Sequence, residues 1–216
     1  MSTDFNYQTA KLTVGRMWAD NCMVEFVDSL AELLLYSQKR LCGPNEFIHY
    51  IKAPMSYHEM ARNWLVEHME GEWLLSLDTD HMFRPDLLER LLLLAQETDS
   101  KVVSAIYQYK SPSMGHRPVA NMWDEEGKLK PIMDWDKSGR FIEGVGPCGA
   151  GALLVHHSVF KKMRAKFQCE PFVTIPGLSE DYSFFKRLQE MGEKAVLGTT
   201  IEAHHMIRTA LSVRDL

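Results

Sequence analysis

Residues Trp73–Leu94 read WLLSLDTDHMFRPDLLERLLLL. The stretch from Glu72 to Leu77 has the length and apolar character of a buried strand. It stops abruptly at Asp78, and Asp80 follows after one residue. Pro85 then opens a leucine-rich run with helical spacing; a proline in the first turn gives up only an N–H that would be unpaired anyway. A buried strand that ends in two acids and folds back through a helix is one step of an alternating α/β chain.

The surrounding sequence repeats that step. Lys11 to Gly15 and Phe47 to Ile51 read as strands, and Lys101 to Tyr107 is β-branched and reads as another. Met23 to Tyr36 carries apolar residues at helical spacing. Ser56 to Met69 reads as a helix in which Ser56 and Glu59 are spaced as a capping box. The expected fold class is α/β, with a mostly parallel central sheet flanked by helices on both faces.

The second half differs in texture. Ser111 to Gly146 is polar, with turn signals at Glu126-Gly127 and Ser138-Gly139, and reads as a loop with a short hairpin. Ala152 to His156 reads as a strand followed by a helix from Ser158. Ser179 is placed to cap a helix that ends at Gly192. Lys194 to Leu197 reads as a last short strand, with a further strand-like stretch from Thr199 to Ala203 leading to His204 and His205.

The totals narrow the function classes. The chain has 216 residues, enough for one sizeable core, and no repeat or linker divides it. Net charge is −5, which argues against broad binding to polyanions. No apolar run approaches the roughly 18 residues of a membrane span, and the first residues lack a signal-peptide pattern. Cys22, Cys42, Cys148 and Cys169 are far apart and form no CxxC pair, as expected of reduced thiols in a cytoplasmic protein.

In extended chain, residues i and i+2 point the same way, so Asp78 and Asp80 are expected to project together from the carboxyl end of their strand. In open parallel sheets ligands bind at that edge. Two acids there repel and are costly to bury, and a divalent cation resolves both problems. Oxygen ligands suit magnesium or manganese, and an added histidine shifts the balance to manganese. The ordinary alternative is a pair of solvated strand-end acids.

Other segments carry weaker signals. Arg62 and Asn63 lie in the preceding helix, where an Arg fork can reach phosphate or the pair can simply face solvent. Gly144–Gly151, GVGPCGAG, precedes a strand and so is neither a dinucleotide cradle nor a P-loop; its glycines suit close approach of backbone to a ligand, or a tight turn. Glu180 and Asp181 open a helix, where the dipole favours acids and where a carboxylate can serve as a general base. Of His204 and His205, only one can face a site shared with Asp80, because adjacent residues alternate on extended chain.

Taken in order, these residues resemble a glycosyltransferase of the GT-A fold, most closely the small family 2-like enzymes of phage and bacterial genomes. Residues 11–21, with Gly15 and Arg16, resemble the first strand and its nucleotide-contacting loop. Ala61-Arg62-Asn63 resembles the ARN element, Leu77-Asp78-Thr79-Asp80 the DxD motif, and Tyr107 to Pro112, with Lys110, the segment after the next strand. Gly149-Ala150-Gly151 with Val159-Phe160 resembles the acceptor-side strand and helix, Glu180-Asp181 the ED motif, and His205 the late metal-binding histidine.

The resemblance implies a single GT-A domain over 1–216 with a small mixed second sheet. About 1–110 would bind the nucleotide-sugar and about 111–216 the acceptor and, late, the metal. It implies a metal-dependent hexosyl-type transfer from a nucleotide-sugar, commonly UDP-linked, to an acceptor hydroxyl of a glycan, protein or modified nucleobase, with inversion. Asp80 and His205 would ligate Mn2+ or Mg2+, with Asp78 and His204 as further candidates and Asp78 also able to meet the ribose. Arg62, Asn63, Gly15, Arg16, Lys110, Gly149 and Gly151 would line the donor site. Asp181, beside Glu180, would be the base.

Two departures stand out. The late motif has two histidines, His204-His205-Met206-Ile207, which leaves the ligand open between them, and the Gln/Arg-x-x-Arg-Trp element of processive synthases is missing. Rival readings are a haloacid dehalogenase-like phosphatase using SLDTDHM, a sugar-nucleotide pyrophosphorylase, and a non-catalytic binding protein on the same fold. The first would place its motif near the N-terminus, the second needs a glycine-rich basic first loop, and the third would not need the DxD, ED and His positions together.

Overall fold

The computed structural model describes residues 9–17, 22–55, 57–110 and 117–206. In chain order these form β1 (Thr9–Arg16), α1 (Val24–Leu41), β2 (Glu46–Lys52), α2 (His58–His68), β3 (Trp73–Leu77), β4 (His81–Phe83), α3 (Leu87–Glu97), β5 (Val102–Ile106), β6 (Asn121–Trp123), β7 (Leu129–Pro131), β8 (Phe141–Val145), β9 (Ala152–His156), α4 (His157–Phe167), α5 (Glu180–Glu190) and β10 (Ala195–His205). The large sheet runs in the order β2-β1-β3-β9-β5-β10-β4, with β8 also on β10.

The sheet is mixed around a parallel frame. β1 pairs in parallel with β2 and β3, and β5 with β10. Between them β9 runs antiparallel to both β3 and β5, so those five strands share one direction. β9 comes from the second half of the sequence, so both halves build one sheet. β6 and β7 form a separate two-stranded antiparallel sheet.

Helices cover both faces because the strands are apolar on both. β3 shows the division residue by residue. Leu74 joins the core under α2, α4 and α5, with Leu65, Phe160, Phe184 and Phe185. Leu75 and Leu77 join the opposite core, with Phe26 and Leu33 of α1 and Leu88 and Leu91 of α3. Ser76 is buried on the α2 side, and it marks where polar chemistry enters the interior.

Local differences from the sequence expectation have physical causes. α3 begins at Leu87, not Pro85, because β4 intervenes and the chain turns through Arg84–Asp86, with the Leu87 amide donating to the Arg84 carbonyl at 3.1 Å. Ser56 lies outside the described residues; Glu59 accepts from the Thr174 amide at 2.7 Å and ties α2 to the segment before α5. The two short strands expected near the end are one strand, β10, whose register against β5 shifts between Gly198 and Glu202. α4 starts one residue early, at His157, with the His156 ring accepting from the Ser158 amide.

The cysteines are all free thiols. Burial pushes Cys148 up to about 12, as befits an inert core residue. No helix among the described residues is long and apolar enough to cross a membrane.

The turn into β3 packs on β1. Gly71 has φ +77°, and a Cβ there would lie 2.6 Å from the backbone oxygen of Lys11. Backbone cannot yield as a side-chain tip can, so Gly71→Ala is expected to cost about 1–3 kcal/mol or more. An unchanged urea midpoint would show that the turn relaxes freely.

Candidate active site

The site is organised around a buried guanidinium. α2 turns Ala61, Arg62, Leu65 and Val66 toward the core, and Arg62 is only 4% exposed. Its Nη2 donates to both oxygens of Asp78, at 3.0 and 3.3 Å, and its Nε to Glu180 at 3.3 Å. Nη1 donates to the Ser76 hydroxyl at 3.2 Å and the Ala150 carbonyl at 3.0 Å. Burial alone would lower its pKa, but the charges of Asp78, Glu180 and Asp181 outweigh that and raise it. One cation thus joins the end of β3 to the start of α5, 118 residues from Arg62.

This geometry revises the aspartate pair. The strand ends at Leu77 and the chain turns at Thr79–Asp80, so the two acids do not project together. Asp78 belongs to Arg62. Asp80 swings toward β4 and β10, where its Oδ1 lies 2.9 Å from His81 Nδ1, its Oδ2 lies 3.7 Å from His205 Nε2, and the Lys110 ammonium reaches Oδ2. Burial disfavours the charged form of Asp80, but His205, His81 and Lys110 together hold its carboxyl far below the usual range.

The antiparallel pairing of β4 and β10 sets the histidines. His205 lies opposite His81, and His204 opposite Met82. The His81 and His205 rings stack with centroids 4.3 Å apart. The alternation of the strand sends His204 outward, where it meets Glu202 at 3.6 Å. His205 Nδ1 is 2.9 Å from the Gln108 carbonyl. Donation to that oxygen orients the ring with Nε2 facing Asp80.

Asp80, His81 and His205 present ligand atoms all within 4.8 Å of one another. Asp80 Oδ1 and both nitrogens of His81 are buried without a hydrogen-bond partner; the 2.9 Å approach of His81 to Asp80 is not aligned as one. Buried polar groups without partners call for a ligand. Two imidazoles and a carboxylate, with one imidazole oriented from behind by a backbone carbonyl, are a donor set that fits a first-row divalent cation. The structure therefore brings together Asp80 and His205 of the expected ligands, adds His81, and leaves Asp78 and His204 apart.

The remaining expected residues occupy several places. Both amide atoms of Asn63 are taken by the backbone of Phe172, at 2.6 and 3.0 Å, so Asn63 anchors α2 and is not free to meet a nucleotide. Gly15 carries no side chain because a Cβ would meet Leu65 at 2.9 Å. Arg16 at the end of β1 donates to Cys22 Sγ at 3.4 Å. The close approach at Gly149 and Gly151 is by side chains of the protein: a Cβ would fall 1.9 Å from the Tyr107 hydroxyl at Gly149 and 2.6 Å from the His81 ring at Gly151. Gly151 also donates its amide to the Tyr107 hydroxyl at 3.2 Å.

The two acids at the head of α5 differ. Glu180 is buried on Arg62. Asp181 is half-buried, accepting from the Ser179 hydroxyl and from the Tyr182 amide at 2.8 Å, with no basic group bonded to it among the described residues. Its charge is felt at Arg62, Tyr107 and Cys148. A pocket of 510 Å³ opens between the first turns of α2 and α5, lined by Tyr57, His58, Glu59, Met60, Thr174 and Glu180.

The site thus sits on a mixed α/β sheet whose β3 end is tied through Arg62 to the acidic start of α5. The family model for glycosyl transferase family 2 matches residues 28–154, more than half of the chain, and the chain belongs to that family. It is a glycosyltransferase that takes its sugar from a nucleotide-sugar donor. No curated protein matches it.

Two substitutions probe the geometry. Arg62→Met removes the partner of two carboxylates and should cost about 3–5 kcal/mol of stability in chemical denaturation; adding Glu180→Gln should recover part of it. A loss no larger than that of a surface substitution would mean that the three charges are not coupled. Gly151→Ala drives a methyl into His81 and should weaken Mn2+ binding in a calorimetric titration while the fold persists. Equal affinity would remove His81 from the cation site.

Proposed function

We propose that this chain transfers a hexosyl group from a UDP-sugar to an acceptor hydroxyl, with inversion at the anomeric carbon, in a Mn2+-dependent reaction. The observation that carries this reading is the Asp80–His81–His205 cluster at the end of the DxD strand, with its buried unpaired ligand atoms. Its mixed nitrogen and oxygen donors favour manganese over magnesium. When bound there, the cation supplies Lewis-acid stabilisation to the charge that develops on the departing diphosphate.

The chain's own residues do the rest. Asp80, His81 and His205 hold the cation, and Lys110, which already reaches Asp80, offers its ammonium to the phosphates. Arg62 keeps Asp78 fixed at the edge of the donor site, where Asp78 is free to accept from a ribose hydroxyl. Arg16 at the mouth of β1 and the 510 Å³ pocket take the nucleoside end. Gly15, Gly149 and Gly151 shape the site by letting Leu65, Tyr107 and His81 close in.

Asp181 takes the acceptor proton. Glu180, bound to Arg62, is its support and not a second base. The Tyr182 N–H and the Ser179 hydroxyl orient Asp181 at the helix start, with no basic group bonded to it among the described residues. A base facing the acceptor, with no covalent intermediate, gives inversion. On this reading residues 1–216 act as one domain with the donor half first and the acceptor half second. The four free thiols suit a cytoplasmic setting.

With Mn2+, UDP should raise the melting temperature above that seen with either alone, and Asp80→Ala should abolish the increment. No increment with UDP, GDP, CDP or dTDP would refute the cation-assisted donor site. Asp181→Asn should keep the increment and lose about 10²–10⁴-fold in transfer rate. A normal rate would place the base elsewhere.

A further inference from the structure

A second pocket, of 280 Å³, lies at the carboxyl ends of β5 and β10. Tyr107, Tyr109, Trp135, Glu202, His204 and His205 line it. Trp135 belongs to a short 3-10 turn between β7 and β8 and packs partly on the core. Arg117 lies over the Tyr109 ring, 5.5 Å from its centroid, which braces that ring as a wall.

The pocket is bracketed by the two halves of the chemistry. On one side it shares His205 with the cation cluster. On the other, the Tyr109 hydroxyl meets that of Tyr182 at 3.4 Å, and Tyr182 follows Asp181 directly. Asn121 donates to the same Tyr182 hydroxyl at 3.2 Å and so fixes this wall to β6. A molecule held here lies against His205 of the cation cluster and against Tyr109, whose hydroxyl meets the residue that follows Asp181.

The lining also selects by chemistry. Among the described residues no Lys or Arg lines it; its lining carries the carboxylate of Glu202, the two histidines and the hydroxyls of Tyr107 and Tyr109. Glu202 repels an anionic acceptor, and the nearest described cations are already engaged, Arg117 on the Tyr109 ring and Lys110 on Asp80. Aromatic walls with a few polar groups suit an amphipathic ring, with C–H faces against Trp135 and Tyr109 and hydroxyls toward Glu202 and His204. The volume lies just below the range of about 300–1,000 Å³ common for small-molecule pockets, which fits a single sugar unit and not a length of polymer.

We propose that this pocket is the acceptor subsite and that it binds a neutral sugar ring, so that the acceptor is a glycan or glycoside. The inference rests on the transferase reading above and deepens it. In the transfer, the acceptor oxygen forms its bond to the anomeric carbon of the donor. The bond from that carbon to the phosphate oxygen breaks, and its electron pair leaves with the diphosphate. The acceptor's hydroxyl proton passes to Asp181.

Saturation-transfer NMR on the full chain, with methyl glycosides of neutral hexoses, neutral disaccharides and uronic acids as probes, tests it. Some neutral saccharide should bind without nucleotide or metal. Its signal should fall at least fivefold in Trp135→Ala and in Tyr109→Ala and return in Trp135→Phe, while the Mn2+–UDP melting increment stays as in the wild type. Absence of neutral saccharide binding, preference for uronic acids, or a signal that survives both alanine variants would overturn the proposal. The melting increment separates the two readings. An increment without saccharide binding removes the subsite and leaves the donor site. Trp135-dependent binding without an increment leaves the subsite and removes the donor site.

Discussion

The site depends on burying one positive charge between two negative ones. Arg62 is inside the protein, where an unpaired guanidinium is prohibitive, and its donors are distributed over Asp78, Glu180, Ser76 and a main-chain carbonyl. Ion pairs of this kind contribute little net stability compared with apolar packing, because desolvation offsets the attraction. What they impose is geometry. Asp78 precedes the turn that aims Asp80, and Glu180 precedes Asp181. Clamping the first member of each pair sets the bearing of the second. Asn63, one residue along the same helix, grips the backbone of Phe172 and holds the segment leading to α5.

A second constraint is the pairing of β4 with β10. Three residues of β4 suffice to place His81 against His205 and to bury the contact beside Tyr107. The register decides which histidine joins the cluster, because a shift of one residue would put His204 inside and His205 in solvent. β10 can reach both the sheet interior and this edge only because it continues for 11 residues through a local irregularity opposite β5. The glycines of the 144–151 loop serve the same end. They leave room for the rings of Tyr107 and His81 to pack on backbone, which fixes the back of the cluster.

Much of this was legible in the sequence, and the gaps have physical reasons. Apolar runs and helical spacing report burial directly, so the strands and helices of the first half, and α5 with its Phe184-Phe185-Leu188 face, could be read from the chain. β4 could not: three residues carry no periodicity, and its reason to be a strand lies far along the chain in β10, where His205 pairs with His81. The resemblance supplied the order DxD, ED, His, but spacing along the chain cannot show that Asp78 and Glu180 meet the same guanidinium. His81 was missed for the same reason as β4. The one signal for it was its place directly after Asp80, ahead of an alternating His-Met-Phe. Asn63 looked like a ligand residue because an exposed and a backbone-bound amide are the same letter.

The charge balance explains why the proposed reading carries a divalent cation. Asp78, Asp80, Glu180 and Asp181 bring four carboxylates into one region, and the permanent cations that meet them are Arg62 and Lys110. Arg62 is enclosed, so its field is largely used up on its two partners. A diphosphate approaching this surface therefore meets a net negative potential. On the proposed reading, a dication held by Asp80, His81 and His205 reverses that sign where the phosphates would sit, and of these four carboxylates Asp181 is the one with no cation bonded to it among the described residues. A general base needs that freedom, since a carboxylate held by Arg is a poor proton acceptor. One buried arginine thus gives the two members of each carboxylate pair different surroundings, which is what the proposed division of roles requires.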